Sequence, residues 1–440
     1  MEKHMWVILA HVCRKWRAIV FASATRLDLG VIVGPEKPDD IETILSGPLP
    51  IFIDYRCLYI EITGSALWRM GAALSHHDRV RKIAFEGARA NFDKFFKATN
   101  RPFPVLESLT FRFRWGNGEN IPETFLRGPD QSILHLRRLE LYEVSLTFIS
   151  GFLLSATALT KLSLRIDTAF GSSAETSLLV CLQGMPCLDH LDLFILSESL
   201  GPSSPPTPKN IVPLSKLTNF SYVGYRTCLD ALVAGLSAPS LQDVSINYYK
   251  ATVWPPCVHL SRFINEIERR YHAVCVAFRN LGFHLSLLTQ SEYIGPCNPR
   301  FKLGSNSGCP PEFMVQMTGE LSAMLTIVED LRVTFDDPAV HVWMDNIPWR
   351  RFLRQFHNLK ALRIEGVEVI KVNWIARSLL QDYEELGDDL TFLPSLADIE
   401  IGKVPSPIDE SQRGPELAAF QRFVSVRQQA GRPVKFSFGL

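Results

Sequence analysis

A six-residue phrase constrains the fold of this chain more than any other feature of its sequence. The phrase places apolar residues at its first, fourth and sixth positions, as in Leu136-Arg-Arg-Leu139-Glu-Leu141. Phrases with this spacing, some with aromatic or β-branched substitutes, also begin at Val80, Leu106, Leu159, Leu188, Leu217, Leu241, Val328, Leu359 and Leu396. A single copy could belong to any half-buried strand, but ten copies in one chain indicate a repeat architecture.

The physics of a short strand explains the repetition. Neighbouring side chains of a strand point to opposite faces, so Leu139 and Leu141 share one face while Glu140 and Tyr142 lie on the other. One short strand cannot bury its apolar face alone, but stacked copies form a continuous core and align their polar faces. The phrases recur roughly every 20–30 residues, which leaves room for a helix in each repeat. The sequence therefore predicts an α/β leucine-rich-repeat solenoid. We expect an irregular horseshoe with parallel strands on its concave face and helices on its convex face.

The repeats account for most of the chain, and we assign residues 26–440 to the solenoid. Helices are predicted between the strands at Phe92–Thr99, Leu146–Thr157, Ala174–Met185, Leu229–Leu236, Leu260–Tyr271, Pro311–Leu325, Trp349–Phe356, Trp374–Leu386 and Glu416–Gln429. The Pro- and Ser-rich run Gly201–Pro208 predicts an exposed loop. No clear phrase occurs between Ile246 and Leu331, so degenerate repeats are predicted at about residues 250–325.

Composition argues against several classes of partner. Lys plus Arg and Asp plus Glu both total 46, so the chain lacks the basic excess of a nucleic-acid or anionic-membrane binder. No apolar stretch reaches the roughly 18–20 residues of a membrane span. The apolar run Met5–Cys13 is followed at once by Arg14, Lys15 and Arg17, which argues against a secretory signal. The nine cysteines are scattered without a CxxC pair, which predicts reduced thiols and a cytoplasmic or nuclear protein.

The motifs of the common enzyme classes are absent from the sequence. It contains no phosphate-binding glycine loop, no nucleophile elbow and no zinc-protease motif. The adjacent pair His76-His77 lacks further ligands at a fixed spacing, so it predicts a solvated turn rather than a metal site. We therefore expect a protein that is not an enzyme, with no catalytic, cofactor-binding or metal-binding residues.

The first 25 residues predict one amphipathic helix with a recognisable motif. The run Leu9-Ala-His-Val-Cys13-Arg-Lys-Trp16-Arg-Ala-Ile19 resembles the last helix of an F-box. F-box domains dock on the Skp adaptor of a cullin-RING (SCF) ubiquitin ligase, so the resemblance implies this partner. The residues it would assign to adaptor binding are Leu9, Val12, Cys13, Trp16 and Ile19.

The resemblance extends loosely along the chain to basidiomycete-type fungal F-box/leucine-rich-repeat proteins. The segments that carry it are Leu49-Pro-Ile-Phe-Ile53, His76-His-Asp-Arg-Val80 and Ala430-Gly-Arg-Pro433. An F-box has about three helices and opens with a Leu-Pro segment, whereas this sequence begins shortly before the last helix. Two interpretations of residues 1–25 stay open. They are either the remnant of a truncated F-box or an N-terminal cap on the apolar end of the solenoid.

The predicted function is protein binding without catalysis. The chain would be a substrate-recognition subunit of an SCF-type ubiquitin ligase that holds a target protein on the concave face. The alternative is a leucine-rich-repeat scaffold without a link to ubiquitin, in which the N-terminal helix acts only as a cap. The predicted concave face has the aromatic and Arg residues that are enriched in binding hot spots. The residues expected to bind the target are Arg112, Arg138, Glu140, Tyr142, Lys161, Arg165, Asp192 and Phe194.

Overall fold

The chain folds into two compact units, described in turn below. The first unit comprises residues 1–200 and 214–217, and the second comprises residues 201–213 and 218–440. The computed structural model describes residues 13–15, 18–19, 30–35, 41–56, 62–99, 101–113, 121, 135–166, 172–196, 211–249, 257–267, 271–279, 282–289, 301–305, 311–335, 347–365, 373–386, 392–402 and 410–438.

The first unit is an α/β structure. Its strands are β1 (Val31–Val33), β2 (Ile51–Arg56), β3 (Val80–Gly87), β4 (Ser108–Phe113), β5 (Arg138–Tyr142), β6 (Lys161–Ile166) and β7 (His190–Ile195). Its helices are α1 (Ile41–Ser46), α2 (Gly64–Ser75), α3 (Arg89–Ala98), α4 (Leu146–Ser155) and α5 (Ser172–Gln183). A helix follows every strand from β1 to β6 except β4, among the described residues. Each strand pairs in parallel with the next strand in the sequence. This order is the one that βαβ connections between sequential strands produce.

Equivalent positions of the phrase lie side by side on neighbouring strands. Leu109 is opposite Leu139, Leu139 is opposite Leu162, and Leu162 is opposite Leu191. All four leucines are fully buried, whereas Glu140 on the alternate position of β5 is only half-buried. The predicted alternation of buried and partly exposed positions is therefore confirmed for these strands. A slip of one residue would bury the charged face, which explains why the register is well specified.

Helices pack against the apolar face of the first unit's sheet. Phe92 and Phe95 of α3 contact Phe85 of β3 and Phe111 of β4, with ring centroids 4.7–5.6 Å apart. Most of these ring pairs meet edge to face, the arrangement that the aromatic quadrupole favours. Because side chains alternate along a strand, the polar residues of β3 and β4 lie on the face opposite to α3.

The second unit is also α/β. Its strands are β8 (Val212–Pro213), β9 (Asn219–Gly224), β10 (Leu236–Ser237), β11 (Asp243–Tyr248), β12 (Ala273–Arg279), β13 (Gly282–Leu288), β14 (Phe301–Ser305), β15 (Asp330–Phe335), β16 (Ala361–Glu365), β17 (Asp398–Ile401) and β18 (Lys435–Phe438). Its helices are α6 (Arg226–Ala234), α7 (Val258–Asn265), α8 (Pro311–Glu320), α9 (Ser322–Leu325), α10 (Trp349–Leu353), α11 (Asn373–Leu386) and α12 (Glu410–Gln429). The strands lie in the order β9-β11-β14-β13-β12-β15-β16-β17-β18, while β8 and β10 form a separate parallel pair.

One strand of the second unit runs against its neighbours. Strand β13 pairs antiparallel with both β12 and β14, whereas the other pairs of this unit's main sheet are parallel among the described residues. Degenerate repeats were expected here, but a succession of repeats alone would not reverse a strand. The pairing of β13 with β14 is close at Gly304, where a Cβ would lie 2.5 Å from Nδ1 of His284 and 2.9 Å from the Phe283 carbonyl oxygen. Glycine is therefore required at this position.

Only part of the predicted N-terminal helix lies within the described residues. Residues 14–15 and 18–19 are helical, and the side chains of Cys13 and Ile19 are exposed. Leu9, Val12 and Trp16 lie outside the described residues, as does the Gly201–Pro208 run.

Candidate functional site

The polar face of the first unit's sheet is the main candidate site. The register of β2 to β7 arranges its side chains in three lateral rows that cross the strands. Row 1 contains Phe52, Lys82, Ser108, Arg138, Lys161 and His190. Row 2 contains Asp54, Ala84, Thr110, Glu140, Ser163 and Asp192. Row 3 contains Arg56, Glu86, Arg112, Tyr142, Arg165 and Phe194. The structure thus brings all the residues predicted for target binding onto one face.

Cations lie over aromatic rings within two of these rows. In row 3, the guanidinium carbon of Arg112 is 4.2 Å from the ring centroid of Tyr142, and that of Arg165 is 4.6 Å from Phe194. In row 1, Nζ of Lys82 is 4.5 Å from the ring of Phe52. Each pair joins residues directly opposite on adjacent strands, which lie about 4.8 Å apart. Such contacts stabilise exposed pairs by about 0.5–1 kcal/mol, so they hold these side chains in defined positions.

Row 2 carries most of the negative charge of the face, with three of its four carboxylates. The Glu140 carboxylate is 3.5 Å from Nζ of Lys161, and Nε of Arg56 donates to Asp54 Oδ1 at 2.8 Å. Burial raises the pKa of Asp192, and the Glu140 charge adds to this shift, while Lys161 and His190 lower the pKa. Row 2 is therefore an acidic band between two rows rich in cations.

The part of this face that β2 and β3 contribute was not predicted from the sequence. Phe52, Asp54, Arg56, Lys82 and Glu86 extend the three rows by two strands. The signal was present, because apolar and polar residues alternate in Ile51-Phe-Ile-Asp-Tyr-Arg56 as they do in the later phrases. The pairing of β2 with β3 shifts by one residue next to Ile51, as at a β-bulge.

A pocket of about 310 Å³ lies at the N-terminal ends of β2 to β5. Its lining includes Arg79 and Arg81, whose donors are used inside the protein. Arg79 donates to the carbonyl oxygens of Leu45 and Leu49 at 2.7–3.1 Å, and Arg81 forms an ion pair with Glu107. These contacts anchor the loops around the turn at residues 76–79, so these two arginines have a structural role.

Several charged side chains on the sheet of the second unit pair with one another. Arg363 bridges Asp330 at 2.8 Å and Glu400 at 3.2 Å, and Nε of Arg332 lies 3.3 Å from a Glu365 oxygen. Burial raises the pKa of Asp330 to about 6, although the adjacent Arg332 charge acts in the opposite direction. This network satisfies its own charges and offers less to an outside partner than the face of the first unit.

A buried polar cluster in the second unit was not predicted from the sequence. Arg226 forms an ion pair with Glu320, and its Nε lies 2.8 Å from Sγ of Cys257. Glu320 also accepts a hydrogen bond from the Cys257 amide at 2.8 Å. Burial raises the pKa of the Cys257 thiol to about 12, so the thiol stays protonated at neutral pH. The cluster therefore joins α6, α7 and α8 but does not supply an activated nucleophile.

Within the ranges that the structure describes, no group of three or more His, Cys, Asp or Glu side chains is placed to hold a metal ion. Among the helices described above, none is both long enough and apolar enough to cross a membrane.

No protein-family model matches the chain, and no curated protein matches it significantly.

Proposed function

We propose that this chain is a protein-binding module, built as an α/β leucine-rich-repeat solenoid, that binds a target protein on the polar face of its first unit. The in-register stacking of the phrase residues on parallel strands supports the solenoid. The single observation that carries the binding proposal is the set of stacked side chains in row 3. Aromatic residues and Arg are enriched in binding hot spots, and here Tyr142 and Phe194 each lie under an arginine.

The binding proposal is tested by removing the two aromatic rings. Lysate of the source cells is passed over the immobilised wild-type chain and over the Tyr142→Ala/Phe194→Ala variant, and retained proteins are quantified by mass spectrometry. We expect retention of specific partners to weaken by more than about 2 kcal/mol, or about 30-fold. The melting temperature should stay nearly unchanged, because both side chains are only half-buried.

A matched control uses Leu154→Ala/Val180→Ala, which truncates two exposed apolar side chains on helices of the same unit. Equal retention by the wild type and the Tyr142/Phe194 variant would contradict the proposal. So would equal losses in the variant and the control.

We further propose that the N-terminal helix docks on the Skp adaptor of an SCF ubiquitin ligase, through Leu9, Val12, Cys13, Trp16 and Ile19. The target would then be held near the ligase, in the cytoplasm or nucleus. Exposure of Cys13 and of Ile19, whose exposed fraction is 51%, supports this proposal. A cap would bury its apolar side chains against the solenoid, and these two are not buried.

Co-elution of the purified chain with the Skp adaptor tests the link to ubiquitin. Ile19→Asp should abolish co-elution without lowering the melting temperature, since the side chain is exposed. Val180→Asp, which introduces the same charge at a comparably exposed site, should leave co-elution intact. If the wild type does not co-elute, the chain is a leucine-rich-repeat scaffold without ubiquitin linkage and its first helix is a cap.

A further inference from the structure

The polar face of the first unit has an ordered charge pattern that specifies the chemistry of its partner. We infer that this face binds an acidic segment of a partner protein, whose carboxylates lie opposite rows 1 and 3 and avoid row 2. The inference rests on the proposed function and adds to it the chemical class of the target.

The three rows form charge bands of alternating sign. Row 1 contains Lys82, Arg138 and Lys161 and no carboxylate. Row 2 contains three carboxylates, those of Asp54, Glu140 and Asp192, and no cation. Row 3 contains three arginines against the one carboxylate of Glu86. A complementary partner carries a negative group opposite row 1, a neutral or positive group opposite row 2, and a negative group opposite row 3.

Part of the positive charge in the two outer rows is not neutralised within the face. Asp54 pairs with Arg56 and Glu140 pairs with Lys161. In contrast, Arg112 of row 3 and Arg138 of row 1 form no ion pair with any described residue. The buried Nε of Arg112 also lacks a hydrogen-bond acceptor among the described residues. This buried Nε is out of reach of an outside ligand, but a guanidinium without a carboxylate partner on its own face favours binding of an anionic oxygen by its terminal N–H groups.

The stacking in row 3 prepares Arg112 for this role. One face of its guanidinium stacks on the ring of Tyr142. The N–H donors lie in the guanidinium plane, so the stacking does not use them. A guanidinium held in this way loses little conformational freedom when it binds a carboxylate with two parallel hydrogen bonds. Arg165 is stacked on Phe194 in the same row, so the arrangement occurs twice.

The spacing of the rows sets the spacing of the acids. Rows are two residues apart along each strand, or about 6.6 Å, so rows 1 and 3 are separated by about 13 Å. An extended segment lying along the strands therefore places acidic residues four positions apart, with an uncharged or basic residue midway. A nucleic acid is less suitable, because it carries a phosphate at every nucleotide and would also place negative charge against row 2.

A pair of isomeric peptides tests this charge order with the full chain immobilised for surface plasmon resonance. The first probe is Ser-Ser-Glu-Ser-Lys-Ser-Glu-Ser-Ser, and the second exchanges its Lys with the second Glu. We expect the first peptide to bind about tenfold more tightly, since the exchange replaces a favourable charge pair with a repulsive one. Added salt should weaken the binding of the first peptide.

Variants locate this effect on the face. Arg112→Gln and Arg138→Gln should each remove most of the preference for the first peptide over the second. Arg101→Gln, at an exposed position of the same unit, should retain that preference. Arg138 is exposed, so its variant stays folded and keeps the test valid if Arg112→Gln melts early. Equal binding of the two peptides, or no binding at millimolar concentration, would overturn the inference.

An oligonucleotide probe tests whether the face binds a nucleic acid instead of an acidic protein segment. Tighter binding of oligothymidylate than of the first peptide, with loss of that binding in Arg112→Gln, would identify a nucleic-acid surface and overturn the inference. The proposed protein binding is judged separately by the retention experiment with Tyr142→Ala/Phe194→Ala. If that variant loses retention but the wild type binds the two peptides equally, only the charge order is rejected and the proposed protein binding stands.

Discussion

The buried ion pair between Arg226 and Glu320 makes the stability of the second unit sensitive to one isosteric change. Both residues are buried, with exposed fractions of 3% and 9%. Glu320→Gln keeps an oxygen that can accept the hydrogen bond from the Cys257 amide, but it leaves the Arg226 charge without its counter-ion. Removing one partner of a buried pair costs about 3–5 kcal/mol, and we expect a loss of this size.

Hydrogen exchange of the native protein is the suitable assay, because unfolding of a chain with two compact units is not reliably two-state. Protection of the amides of α6 and α7 should fall by about 100- to 4000-fold, the equivalent of 3–5 kcal/mol. Glu312→Gln makes the same substitution at an exposed position of α8 and should leave protection unchanged. The double variant Arg226→Met/Glu320→Leu should recover most of the loss, since it removes both charges together. A loss below about 1 kcal/mol in Glu320→Gln would refute this account of the pair.

Three further outcomes are expected. Arg79→Ala should lower the opening free energy of α1 and β3, read by hydrogen exchange, by about 2–3 kcal/mol, because the carbonyls of Leu45 and Leu49 lose a charged donor; Arg101→Ala, at an exposed position, should change it by less than about 0.5 kcal/mol. The folded-state pKa of Asp330, about 6, lies above its unfolded value. At this site the native state therefore binds more protons, and the contribution of Asp330 to stability falls as pH rises from about 4 to 7. Asp330→Asn should lose less stability than the wild type over that range, and an equal loss would contradict the raised pKa. Iodoacetamide should modify the exposed Cys13 in native protein and spare Cys257 until urea is added, as read by peptide mass spectrometry.

The sequence alone determined the local structure and the side-chain directions. The period-two alternation in each phrase assigns Leu139 and Leu141 to the core and Glu140 and Tyr142 to the opposite face, and the structure confirms this for β5. Alternation is a property of consecutive residues, so it requires no knowledge of distant parts of the chain. The predicted helices are likewise found at their expected places, with differences at their ends such as the start of α12 at Glu410 instead of Glu416.

Only the tertiary structure decided which side chains meet across strands and helices. The stacking of Arg112 on Tyr142 depends on the pairing of β4 with β5, and the phrase spacing does not specify that lateral contact. The reversal of β13 and the pairing of Arg226 with Glu320, 94 residues apart, also left no periodic signal. The physical reason is that these contacts join residues distant in sequence, and burial and charge compensation select them only after the local elements have packed together.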